Sequence, residues 1–205
     1  MEKTPANGLH QFLRSRRSVR HFLQKPVPEE VIERIVETAC FAPSAHNDQP
    51  WRFVWLKDVK KRMDFVSRLS EKFRNDLLRD GRSEDEAEAI LHKSQERILK
   101  APVAILVCLD KTCGDVYPDE VRQQAEYLMG VQGVAMAGFQ LLLAAHAEGL
   151  GGMWMCAPLF AQDEARDALG LPSTWHPQGL ILLGYPENTP TTPARRALGE
   201  VLIRA

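Results

Sequence analysis

Val31, Ile32, Ile35, Val36 and Ala39 recur at helical spacing and give the chain its first clear apolar face. The run opens on Pro28-Glu29-Glu30. Proline suits a first helical turn, and the two acids meet the positive end of the helix dipole. The pattern predicts a helix that stops by Pro43. From Ala42 to Pro50 the sequence APSAHNDQP is dense in turn formers and predicts an irregular loop, followed by a strand from Trp51 to Leu56. Lys61–Asp80 and Ser83–Leu99 predict two charged, amphipathic helices, the second opening with Ser83 and Glu86 in capping-box positions. They are expected to form an exposed excursion.

The unbroken apolar run Ala104–Leu109 predicts a strand covered on both faces and central in its sheet. A polar connection, Lys111–Pro118, leads to a long helix, Glu120–His146, whose second half is apolar nearly all round. Such a helix belongs in a core or an interface. Gly130, Gly133, Ala137 and Gly138 would let another backbone approach, so contact with a second subunit is expected here. Gly151–Cys156 and Leu180–Leu183 predict two more strands and Gln162–Leu169 a short helix. Four strands make a sheet of ordinary size. The segment PENTPTTP after Gly184 should run extended over the surface, where it can reach a partner chain.

Composition narrows the function classes. With 205 residues, 44% hydrophobic and 26% charged, the chain suits one globular domain spanning residues 1–205. A net charge of -1 provides no overall basic field, which argues against nucleic acid and anionic membranes as partners. The apolar stretch Val131–Ala145 is interrupted by Gln132 and Gln140 and is shorter than the roughly 20 residues that span a bilayer. Cys40, Cys108, Cys113 and Cys156 form no C-x-x-C pair and no metal-ligand spacing with the six histidines. Reduced thiols in the cytoplasm are the simpler reading, and the polar, basic N-terminus lacks the apolar stretch of a signal peptide.

Motif chemistry is sparse. There is no phosphate-binding G-x-x-x-x-G-K-[ST] loop, no H-E-x-x-H and no G-x-S-x-G. In the Gly149-Leu150-Gly151-Gly152 run, Trp154 stands where a dinucleotide fingerprint needs its third glycine. Ser44 and His46 have no third partner, and loop polarity explains them better than a nucleophile and base. In RSRRSVR, Arg14, Arg16, Arg17 and Arg20 surround Ser15 and Ser18. Forked guanidinium donors with a hydroxyl suit one phosphate group. Alone, such a cluster reads better as a solvated basic end.

Four segments decide between these readings: RRSVRHF, APSAHNDQPWRF, GVQGVAMAGFQLLLAAHAEGLGGMW and ARRALGEVL. In this order they resemble the nitroreductase family over nearly the whole chain. The resemblance implies an α+β fold with a mixed sheet packed by helices, an interlocked homodimer with shared active sites, and one FMN at each of two sites on the interface. It implies Arg16, Ser18 and Arg20 at the flavin phosphate, Arg17 near the ribityl chain or ring, and Arg195 or Arg196 joining from the C-terminal arm. Pro43, Ser44 and Ala45 would approach the ring from the other subunit, with Asn47 and Gln49 beside the cofactor and Trp51 packing in the core. A backbone amide near Cys156 or Ala157 would donate to the flavin N5, and Arg97 would lie near N1 and O2. Cys156 departs from the glycine or acid more usual in the family, and a small buried apolar role suits it better than a redox thiol.

The family leaves electron chemistry to its cofactor, so no catalytic side chain and no metal are expected. NADH or NADPH is the expected donor and a small conjugated molecule the acceptor. RNDLLRDGRSEDEAEAILHKSQERILKAP and LPSTWHPQGLILLGYPEN resemble most the nitroreductase-like C-terminal domain of the deazaflavin coenzyme gamma-glutamyl ligase. That resemblance implies a dehydro precursor of a deazaflavin coenzyme as acceptor. General nitro or quinone reduction is the alternative, together with non-catalytic flavin or deazaflavin binding and the flavin-consuming branch of the family.

Overall fold

The computed structural model describes residues 6–188 and 190–204. Residues 1–5 of the polar N-terminus, Thr189 of the PENTPTTP segment and Ala205 lie outside the described residues. Four strands, β1 (Trp51–Trp55), β2 (Val103–Asp110), β3 (Gly151–Met155) and β4 (Trp175–Gly184), form one sheet in the order β1-β2-β4-β3, and each neighbouring pair is antiparallel. The sheet is thus antiparallel rather than the mixed sheet the resemblance implies, and the parallel pairing among the described residues is an isolated bridge from Ser18 to Gly152 on the free edge of β3.

Strand periodicity sends alternate residues of β2 and β4 to opposite faces. Val103, Ile105, Val107, Ile181 and Leu183 pack with α2 (Glu29–Ala39) and α5 (Glu120–Ala147). Ala104, Leu106, Cys108, Leu180 and Leu182 pack with α3 (Val59–Arg79), α4 (Glu84–Lys100) and α6 (Gln162–Leu169). Every residue of β2 is buried, as the unbroken apolar run predicts.

Helices α3 and α4 are therefore no exposed excursion. Phe65, Val66 and Leu69 of α3 and Ile98 of α4 pack into the cluster on this face of the sheet, and Ala87 and Leu91 of α4 are buried as well, while Val59, Met63, Ile90 and Leu99 stay exposed. The Ser83 and Glu86 capping box forms as expected. The pattern reading passed over helix α1 (Ala6–Ser15) and the short α7 (Leu198–Val201).

The small residues of α5 also serve a different neighbour from the expected second subunit. A Cβ on Gly138 would lie 2.2 Å from the Trp154 ring, one on Gly130 2.9 Å from Leu109, and one on Gly133 3.3 Å from the Ser44 Cβ. Ala137 is fully buried in the same core. These positions fit α5 against its own sheet and loop. With 28 residues, α5 is long and apolar enough by composition to cross a bilayer, which corrects the length argument drawn from sequence. Burial of Val134, Ala137, Leu141, Leu142 and Ala145 against the sheet makes it a core helix instead.

What the core leaves uncovered on α5 is an apolar stripe. Leu128, Met136 and Phe139 are exposed, with Leu9 and Leu13 of α1 and with Leu198, Val201, Leu202 and Ile203 of the C-terminal arm.

Candidate functional site

After α1 the chain runs extended from Arg16 to Phe22. Val19 anchors it: the side chain is buried, its N–H donates to the Gly152 carbonyl at 3.0 Å, and a Cβ on Gly151 would come within 2.5 Å of it. Burying Val19 turns Ser18 and Arg20 outward, where both are exposed.

The arginines divide into two groups. Arg16, Arg17 and Arg195 come together: burial first, then the charges of Arg17 and Arg195, push the Arg16 guanidinium below its ordinary pKa. Arg16 stands 6.0 Å above the Phe139 ring, and Arg17 donates to the Thr192 hydroxyl at 2.7 Å, tying the arm to this point. His146 closes the cluster. Its Nε2 lies 2.7 Å from the Ser15 hydroxyl, Phe12 stacks on it, and burial followed by the charges of Arg16 and Arg17 lowers its pKa. Arg196 is exposed and forms no hydrogen bond or ion pair among the described residues.

Arg20 joins Arg97 instead. The two line a groove of about 580 Å³ with His21, Lys93, Lys100, Glu96 and Glu187. Arg16 and Arg20 thus have different neighbours in this chain, standing four positions apart at about 3.3 Å per residue.

None of Arg16, Arg17, Arg20, Arg97 or Arg195 forms an ion pair among the described residues, whereas Arg34, Arg52, Arg68, Arg74, Arg122 and Arg166 all do. A cluster of like charges held partly out of water, without an acid, is suited to an anion that brings its own negative charge.

A second centre forms around the loop after α2. His46, Asn47 and Gln49 all have positive φ, at 51°, 60° and 49°. Three such residues in four positions store strain, a feature that clusters at functional sites. The Ser44 hydroxyl accepts from the Gln49 N–H at 3.0 Å and closes the loop, which Gly133 admits against α5. Pro43, Asn47 and Gln49 are exposed, Ser44 and Ala45 half-buried, and Trp51 is in the core as expected.

Ser44 and Ala45 form one wall of a cavity of about 530 Å³. Asp110 in another wall is fully engaged. Burial works to raise its pKa, but Thr112 and Arg52, whose Nη2 lies 2.9 Å away, outweigh it and hold the carboxyl below its ordinary range. Glu126 in the floor is different: it is 6% exposed, and its Oε2 meets no donor among the described residues. The sequence reading passed over it. The available signal is that Glu126 continues the helical stripe of Gly130, Gly133, Ala137 and Leu141, which puts an acid on the buried side of α5.

At the far end of β3, Cys156 is exposed rather than buried, which corrects the expected apolar role. The N–H groups of Cys156 and Ala157 open a 3-10 turn and find no acceptor among the described residues. They lie four residues along β3 from the Ser18 bridge, about 13 Å. All four cysteines are free thiols.

Comparison with known proteins gives a consistent result. The Nitroreductase family profile matches residues 13–185. A 5,6-dimethylbenzimidazole synthase from Rhodospirillum rubrum is 29% identical over 199 residues, 94% of this chain and 89% of that protein. A Methanothermobacter thermautotrophicus protein, provisionally named NADH dehydrogenase/NAD(P)H nitroreductase, is 30% identical over 88% of this chain and 78% of its own. Among solved structures, a provisionally named nitroreductase from Desulfovibrio desulfuricans in complex with FMN superposes with a TM-score of 0.73 at 25% identity, covering 100% of this chain and 98% of that one. A BluB-like flavoprotein from Clostridium difficile reaches 0.80 at 24% identity, over 96% of this chain and 98% of its own, a likeness of fold. With this fold, and with a profile match that takes in the arginine segment, the strained loop and all of α5, the chain belongs to the nitroreductase family.

Proposed function

We propose that the protein is an FMN-dependent oxidoreductase acting as a cytoplasmic homodimer. Bound FMN would supply the chemistry, passing hydride or electrons from a reduced nicotinamide to a small conjugated acceptor. The carrying observation is the convergence of Arg16, Arg17 and Arg195 with no acid to neutralise them. That donor set fits the dianionic phosphate of FMN, with the Ser18 hydroxyl beside it. The free amides at Cys156 and Ala157 lie along β3 at a distance that accommodates the ribityl chain and part of the ring, and they would hold the flavin N5. Arg20, grouped with Arg97, is assigned with it to the N1 and O2 side of the ring. Arg196 is left as a further cation of the arm.

Within one chain the loop and the arginine cluster are apart. Ser44 sits over Gly133, whereas Arg16 sits over Phe139 and beside the cluster's His146. These positions are six to thirteen residues along α5, or about 9 to 20 Å. A second copy packed two-fold against the exposed stripe of Leu128, Met136 and Phe139 would bring the partner's loop to this chain's arginines, with Pro43, Ser44 and Ala45 toward the ring and Asn47 and Gln49 at its polar edge. A stripe of large apolar residues left in water supports such an interface.

For the acceptor, the resemblance of the α3–α4 region and the closing segment to the deazaflavin ligase domain supports a dehydro precursor of a deazaflavin coenzyme, with nitro and quinone compounds as general substrates. A second reading, synthesis of a benzimidazole at the expense of flavin, takes its support from the likeness to 5,6-dimethylbenzimidazole synthase.

The test is an anaerobic visible spectrum of the protein loaded with FMN, followed by NADH or NADPH and then acceptor. Bleaching, recovery on adding acceptor and return of intact FMN support the reductase. Loss of FMN with a new aromatic product supports the second reading. Bound flavin that neither nicotinamide bleaches points to non-catalytic binding, and no flavin binding sinks all three.

A further inference from the structure

The cavity beside the strained loop contains a group that the chain itself leaves unsatisfied. Its walls are Ser44, Ala45 and Pro50 on one side, Leu109 and the connection after β2 on another, and Tyr127, Met129 and Gly130 of α5 on the third. At its floor Glu126 is more than nine-tenths buried. Its Oε1 accepts one long bond, 3.3 Å, from the Asp115 N–H. Its Oε2 has no hydrogen-bond partner among the described residues.

Gly114 is part of this arrangement, because a Cβ there would press to 2.9 Å on Oε1. Asp110 holds Arg52 and Thr112, and the Gln123 carbonyl oxygen accepts from the Tyr117 N–H, whereas Lys111, Asp115, Glu120 and Gln124 line the cavity from exposed positions and Asp48 from a half-buried one. A carboxylate oxygen buried behind the lining of a cavity without a donor is costly unless a ligand supplies one.

We infer that this cavity binds the acceptor, and that Glu126 selects a flat conjugated molecule carrying an N–H donor or protonated nitrogen over one with acceptor atoms only. The apolar walls take the body of the ring, and its donor meets the Glu126 carboxylate once that group turns toward the cavity. Ser44 and Ala45 form both the cavity wall and the loop assigned to the flavin ring, so a molecule held here lies against the cofactor. Only this last step, that the occupant is the acceptor, rests on the function proposed above.

The test is equilibrium binding of two non-reducible probes, 2-aminoquinoline and quinoline, to the purified protein, read by fluorescence, with FMN retention measured in the same sample. Wild type should bind 2-aminoquinoline at least tenfold more tightly than quinoline. Glu126→Gln should lose at least tenfold for 2-aminoquinoline and stay within twofold for quinoline, and Glu126→Asp, which retracts the carboxylate by one methylene, should fall between. Met129→Trp narrows the cavity without touching the carboxylate and should weaken both probes.

Equal affinity of the two probes for wild type overturns the inference. So does equal loss of both in Glu126→Gln, or unchanged binding of both in Met129→Trp. If Glu126→Gln does not fold, Met129→Trp and the wild-type preference still decide. Retained probe preference without flavin binding would sink the oxidoreductase reading alone, whereas retained flavin without probe preference would sink the cavity alone.

Discussion

Near the C-terminal half of α5, Arg16 and Arg17 crowd round His146 and Arg195 joins Arg16, with no ion pair to an acid among the described residues, whereas near its N-terminal half Glu126 is buried with an oxygen that meets no donor among them. The charges are opposite, but each end leaves a group that only an outside molecule can complete. The helices on the other face of the sheet differ from both. On α3 and α4, Arg68 pairs with Asp64, Lys72 with Asp76, and Arg74 with Glu84 and Glu88. Those pairs are exposed and individually contribute little to stability. Apart from Arg97, which lines the Arg20 groove, these helices neutralise many of their charges locally, and the two ends of α5 do not.

The proposed dimer joins the two ends, and breaking it should have the largest effect. Ala135→Arg with Met136→Arg puts two cations on the exposed stripe and is expected to give a monomer that no longer retains flavin. Light scattering and absorbance check this together; a flavin-bound monomer would show that one chain completes the site alone.

The cationic end can be weakened by itself. At about 1.5–3 kcal/mol for each lost charge-assisted bond, Arg16→Ala with Arg195→Ala should weaken FMN binding by roughly a hundredfold or more while the dimer persists. Arg20→Ala should cost less, since Arg20 belongs to the other group. Flavin fluorescence titration measures both, and a larger loss for Arg20 would reverse the assignment of the phosphate.

The spacing between the ends depends on how α5 seats against Trp154. Gly138→Ala forces a methyl into the ring and should destabilise the fold by about 1–3 kcal/mol, seen as a lower Tm. An unchanged Tm would mean that Trp154 has room to move.

The smallest effect is that of His146. Its pKa is lowered in the folded state, so between that value and the ordinary 6.5 the unfolded chain binds more protons. Stability is therefore full above about pH 6.5 and falls as the pH drops through the folded-state value. His146→Gln should flatten this slope in urea titrations at pH 5 and pH 7, and an unchanged slope would place its origin elsewhere.

Much of the fold was legible. The α2 stripe, the buried β2 run, the Ser83 capping box and the limits of α6 all follow from short-range periodicity and capping, which tertiary contacts reinforced. Helix α1 is not legible in the same way, because its apolar residues Leu9 and Leu13 stay exposed and the basic RSRRSVR run overlaps its end. The site was legible as residue types rather than as groups. RRSVR marked an anion-binding segment, but not that Val19 anchors it and divides Arg16 from Arg20. The APSAHNDQP loop was read as polar and irregular, but its left-handed residues and the cavity beside it were not.

Contacts between neighbours a few residues apart set the helices and strands, the buried character of β2, the local arginine cluster and the ordered segments by which the family is recognised. Long-range packing sets which small residues of α5 serve the core, which face of that helix stays open, that Arg195 crosses the chain to reach Arg16, and that Glu126 is buried with an oxygen unpartnered among the described residues. These depend on groups far apart in sequence meeting at distances of a few ångströms. Periodicity tells which side of an element is apolar, but burial, charge compensation and unsatisfied hydrogen bonds are properties of the assembled surroundings.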